Sequence, residues 1–169
     1  PTLQLDETAA LVNGSRSVTS ATSFAANFGG TFNYGSDGAG SVAYALSLSG
    51  DGIGSGLYAL DNSVTTSGSY GKGAQILLYL NTNTGVIEGR TGSSSGTLYF
   101  TITVNNIAGA DQGKVTLTQV ANIWHANTSN PDDTATLTLG AGAYIRLTQT
   151  LTDADGDTSS CLLYTSDAA

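Results

Sequence analysis

A chain of 169 residues is long enough for one domain with a sizeable core, and a hydrophobic content of 40% excludes a disordered linker even though only 11% of the residues are charged. Thirteen acids against five bases give a net charge of -8, which sets the chain against nucleic-acid phosphates and anionic membranes and leaves cations as natural partners. No apolar run approaches the roughly 20 residues of a membrane helix, and a single cysteine, Cys161, excludes an internal disulfide and a thiolate metal cluster.

The elements read as strands from start to finish. Phe24 to Tyr34 is expected to hold one or two. Ser41 to Leu48 is clearer, because Val42, Tyr44, Leu46 and Leu48 alternate with small or polar residues, which gives one buried and one wet face. Gly50 to Gly56 reads as a loop. Gln75 to Leu80 and Val86 to Gly89 flank Asn81 to Gly85, whose Asn and Gly residues tolerate the positive φ of a hairpin turn. Gly92 to Gly96 is a second short loop. Thr97 to Val104 and Lys114 to Val120 alternate again on either side of the turn-rich stretch Asn105 to Gly113, and antiparallel pairing follows. Thr134 to Leu139 and Ala143 to Thr152 supply the last two strands.

About nine or ten short strands, with turns every ~8–12 residues and no 3.6-residue period, predict an all-β fold, an antiparallel β-sandwich that is Ig-like or related. Residues 1–160 read as one module without internal repeats. The tail 161–169, CLLYTSDAA, back-translates to TGTCTCTTATACACATCTGACGCTGCC, which resembles read-through into a transposase-type sequencing adapter. It is therefore set aside from the fold, the other reading being a closing strand from Leu162 to Tyr164.

The strongest chemical signal is Asp153-Ala154-Asp155-Gly156-Asp157. Calcium takes about 6–8 oxygen ligands at ~2.3–2.6 Å, and alternate aspartates around a bend-permitting glycine can converge several of them. The run resembles the opening of an EF-hand loop, but no bidentate Glu follows and no flanking helices are expected. The residues alone leave two readings open, a solvated Asp/Gly turn or a calcium site. Asp6 and Glu7 place two more acids near the start. Asp37, Asp51 and Asp61 each suit a loop ligand or a plain turn residue.

Trp124, His125, Asn127 and Asp132 form the other candidate set. An indole ring stacks on a sugar face and the amide and acid groups hydrogen-bond its hydroxyls, so a glycan or peptide is a conceivable ligand; a core tryptophan followed by a loop is the alternative. Catalysis is not expected. No G-x-S-x-G elbow occurs, Glu7 and Glu88 are the only glutamates, and Gly71-Lys72-Gly73 lacks the rest of a phosphate loop.

Six short motifs together carry a family resemblance: L-D-E-T at Leu5 to Thr8, Y-G-S-D-G at Tyr34 to Gly38, S-G-L-Y at Ser55 to Tyr58, Y-F-T-I-T-V-N at Tyr99 to Asn105, V-T-L-T-Q at Val115 to Gln119, and T-D-A-D-G-D at Thr152 to Asp157. In order and spacing they resemble the tandem repeat domain of giant RTX-type adhesins exported by type I secretion. The resemblance implies an Ig-like extender module on the surface of a Gram-negative bacterium, secreted into calcium-rich surroundings. Its partners would be neighbouring repeats of the same polypeptide, with surface glycans or peptides as further candidates, and Ca²⁺ at module ends would engage Asp6, Glu7, Asp153, Asp155 and Asp157. The nonapeptide G-G-x-G-x-D of a calcium β-roll is absent.

Overall fold

The computed structural model describes residues 3, 14–28, 32–127 and 134–166, without side-chain detail for 164–166. Its strands are β1 (Arg16–Thr19), β2 (Ala39–Leu48), β3 (Ile53–Leu60), β4 (Lys72–Asn81), β5 (Val86–Thr91), β6 (Leu98–Val104), β7 (Val115–Gln119), β8 (Tyr144–Asp153) and β9 (Thr158–Ser166). They form two antiparallel sheets. One has six strands in the order β1-β7-β6-β5-β4-β3, and the other three in the order β2-β8-β9.

Period-2 alternation explains how the sheets face each other. Tyr44, Leu46 and Leu147 from the smaller sheet meet Leu57, Ile76, Leu78, Ile87, Phe100, Ile102 and Val115 from the larger one in a single buried cluster. Ile76, Leu78 and Ile87 are fully buried, and each such side chain contributes on the order of 1.5–3 kcal/mol. Phe100 fills the space opposite Gly89, where an added Cβ would lie 2.5 Å from its ring; this strand glycine is a packing requirement rather than a hinge. The expected sandwich is therefore the fold. Its six-and-three division of strands differs from the four-and-three division of constant-type Ig domains.

The two expected hairpins are in place. Gly85 N–H donates to the Asn81 carbonyl at 2.8 Å, with Gly85 at φ 71°, and β6 pairs β7 from Phe100↔Gln119 to Val104↔Val115.

Three expectations need correction. Phe24 to Tyr34 holds no strand among its described residues; Phe24–Phe28 is a short 3-10 helix. Ser23 turns the chain there by accepting the Ala25 N–H at 3.0 Å, and Phe24 and Phe28 pack on the core from that turn. Thr134 to Leu139 is not a paired strand either. It runs beside β3, where Thr138 N–H donates to the Ser55 carbonyl at 2.8 Å and Leu139 is buried. Along this segment Leu137 is half-buried and Leu139 buried while Ala135 is exposed, and residues 122–124 meet the same edge of β3 through the Ala59↔Ile123 bridge. Gly50 to Gly56 is not all loop, because Ile53–Gly56 begins β3. Pairing with β4 shifts register between Gly54 and Tyr58, Gly56 has φ 73°, and the buried Ser55 hydroxyl donates to the Ile76 carbonyl at 2.6 Å while accepting the Leu57 N–H at 3.1 Å. That pair of bonds satisfies a bulge a glycine-rich strand would otherwise leave open.

The segment from Cys161 to Ser166 continues β9, which pairs with β8 from Thr152↔Thr158 to Tyr144↔Ser166. No helix among the described residues is long and apolar enough to cross a membrane.

Candidate metal centre

Strand pairing assembles an acidic site from distant parts of the chain. β2 pairs with β8 with Ala39 opposite Asp153, so the loop before β2 meets the turn after β8. Gly40 permits the approach, since a Cβ there would collide with the carbonyl oxygens of Thr152 and Asp153. Ala154 N–H then donates to the Gly38 carbonyl at 3.2 Å.

Asp37, Asp153 and Asp155 consequently present carboxylate oxygens that all lie within 4.8 Å of one another. Asp37 and Asp155 are exposed, and Asp153 is half-buried. Two oxygens on one calcium ion, each ~2.3–2.6 Å away, are at most about 5 Å apart, so the spacing fits a shared ion with water completing the shell.

The turn fixes Asp153. Its Oδ1 accepts the N–H groups of Gly156 at 3.0 Å and Asp157 at 2.8 Å, and its own N–H donates to the Asp157 carbonyl at 3.0 Å. Hydrogen bonding with the Asp155 side chain is the largest influence holding the Asp153 carboxyl below the usual range; partial desolvation pulls the other way, and the N–H groups of Asp157, Gly156 and Asp155 add to the lowering. With all three ionised, carboxylates this close repel one another, a repulsion that a shared proton or a bound cation relieves.

Sequence and structure agree on Asp153 and Asp155 as neighbours. Asp157 serves the turn through its backbone, and its carboxylate is not one of the three that converge. Asp37, read from sequence as one of three isolated loop acids, becomes the third member. The other two are engaged elsewhere: Asp51, just before β3, accepts the N–H of Leu80 near the end of β4 at 3.2 Å, and Asp61 accepts the N–H and hydroxyl of Ser63 in its own turn at 2.9 and 2.6 Å. Asp6 and Glu7 lie outside the described residues, as does Asp132.

Trp124 belongs to the segment beside β3. Its backbone N–H donates to the Tyr58 carbonyl at 2.8 Å, its indole N–H to the Tyr70 carbonyl at 2.6 Å, and its ring meets Tyr58 edge-on at 6.2 Å. The Lys72 ammonium sits 3.9 Å from the Tyr58 ring centre and 5.0 Å from that of Trp124, a cation–π stack that no spacing in the sequence announced. His125 is half-buried and Asn127 exposed.

Neither the curated proteins nor the solved structures gave a match to this sequence. One family model does match, over residues 2–163, which takes in both sheets and the first part of β9. The chain therefore belongs to DUF5801, a family described as a domain of unknown function.

Proposed function

We propose that this domain is a repeat module of a large secreted bacterial surface adhesin, a stiff extender that holds distal binding regions away from the cell for adhesion and biofilm formation. The observation that carries the reading is the meeting of Asp37 with Asp153 and Asp155 at one corner of the sandwich. A calcium ion there joins the loop before β2 to the β8–β9 turn, cancels the repulsion among the acids and restricts hinge motion at that corner. In a head-to-tail array, Asp6 and Glu7 of an adjoining module supply further oxygens. The resemblance to RTX-type repeats supports export by type I secretion to a Gram-negative cell surface. The work of such a module is mechanical, not catalytic.

Thermal melting of a two-module chain, with calcium and with chelator, tests the reading. Calcium should raise Tm and reduce hinge motion by small-angle scattering, and Asp37→Asn with Asp155→Asn should abolish both effects. Identical behaviour in calcium and chelator sinks it.

A second reading, a glycan- or peptide-binding module of the same adhesin, is favoured by one observation: Tyr70 is 60% exposed beside the half-buried Trp124. Saturable binding on a glycan or peptide array that Trp124→Ala removes would select it.

A further inference from the structure

Asn106 and Gln112 lie in the loop from β6 to β7, which belongs to the six-stranded sheet, yet both reach across to β2 at the edge of the other sheet. Asn106 Oδ1 accepts the Tyr44 N–H at 2.5 Å, and its Nδ2 donates to the Tyr44 carbonyl at 2.6 Å. Gln112 Nε2 donates to the Val42 carbonyl at 2.8 Å. Residues 42 and 44 are two apart in a strand, so their peptide groups point to the same side. The two side-chain amides stand where the peptide groups of an adjoining strand would stand. The loop is itself braced, because Ser23 Oγ donates to the Gln112 carbonyl at 2.5 Å and Gly113 N–H donates to the Asn105 carbonyl at 2.8 Å.

The strand order gives these bonds their importance. β1 is an edge of the six-stranded sheet and β9 an edge of the three-stranded one. Among the described residues no ladder joins the two sheets, so tension applied to the two ends crosses from sheet to sheet. Apolar packing between the faces is non-directional. Directional hydrogen bonds between the sheets resist sliding.

We propose that the Asn106 and Gln112 amides form a tie that carries tension between the two sheets and sets the rate at which the domain opens under pulling. The tie gives the extender reading its mechanical element and rests on that reading only for its biological use. The pulling test below addresses the tie, whereas the two-module calcium test addresses the extender.

The experiment is single-molecule pulling of this chain by its two ends. Asn106→Leu removes two bonds of similar size to those whose loss changes a rate about tenfold, and it should raise the unfolding rate at fixed force by about that factor. Thr118→Val removes a 2.8 Å hydroxyl contact to Ser17 within one sheet and should change the rate less than about threefold. Handles moved to Ser17 on β1 and Ser94 in the turn between β5 and β6, both exposed, load the six-stranded sheet alone and bypass the tie, and parent and Asn106→Leu chains should then open alike. Should Asn106→Leu not fold, Gln112→Met reports the same effect through its single bond to Val42. Rates unchanged in both amide variants, or an equal effect of Thr118→Val, would overturn the proposal.

Discussion

Gln149 donates its side-chain amide to the phenolic oxygen of Tyr44 at 2.8 Å, with each residue only 3% exposed. The two residues are opposite one another on β8 and β2, so a polar rung runs through a core built from apolar alternation. Tyr44→Phe should cost about 1–3 kcal/mol, because it strands a buried amide donor rather than merely deleting a hydroxyl. Adding Gln149→Leu should recover part of that loss. Denaturant titration of the two single variants and the double variant checks the coupling; strictly additive costs would contradict it.

Gly89 faces Phe100 at a distance that leaves no room for a methyl group. Gly89→Ala should destabilise the domain by about 1–3 kcal/mol through overpacking. In a Phe100→Leu background the same substitution should be much milder. A thermal melt of all four proteins measures the difference.

Calcium should stabilise the folded chain by mass action, by about 2.7 kcal/mol at a free concentration one hundred times Kd. Asp37→Asn and Asp155→Ala should each shrink the calcium-dependent rise in Tm, whereas Asp51→Asn should not, because Asp51 holds a hairpin instead. Calorimetry in calcium and in chelator distinguishes these outcomes.

Glu88 responds to acid with a definite sign. Its carboxylate accepts Arg90 Nε at 2.7 Å and Asn81 Nδ2 at 3.0 Å; the Arg90 hydrogen bond, then the Asn81 bond, hold its pKa below the ordinary value, against a smaller opposing effect of burial. A lowered folded-state pKa means that the stability it contributes is fully present above the unfolded value of about 4.3 and is lost as pH falls through the lower folded value. Glu88→Gln should therefore flatten the acid limb of a stability-against-pH curve. An unchanged acid limb would contradict the assignment.

Most of the sandwich was legible because β2, β4, β5, β6, β7 and β8 each bury alternate side chains, and that period is written directly in the sequence. β1 escaped notice because Arg16–Thr19 is too short to establish a period. β3 was hidden by its glycines, which read as loop until the Ser55 hydroxyl is seen to satisfy the bulge. Thr134 to Leu139 misled in the opposite sense, since alternation records which side chains are covered and not whether a backbone ladder exists. The candidate metal site was half visible for a related reason. Asp153 and Asp155 share one turn, but Asp37 joins them only through the β2–β8 register, which no local motif specifies.

Hydroxyl pairs tie the edge strands β1 and β9 to their neighbours: Ser17 with Thr118 and Thr19 with Thr116, each at 2.8 Å, and Thr150 with Ser160 at 3.1 Å. Mobile ions screen charges but leave contacts between neutral hydroxyls unaltered. Those cross-strand rungs should hold equally well in dilute medium and in concentrated brine, so the part of the exterior's cohesion that they supply does not track ionic strength.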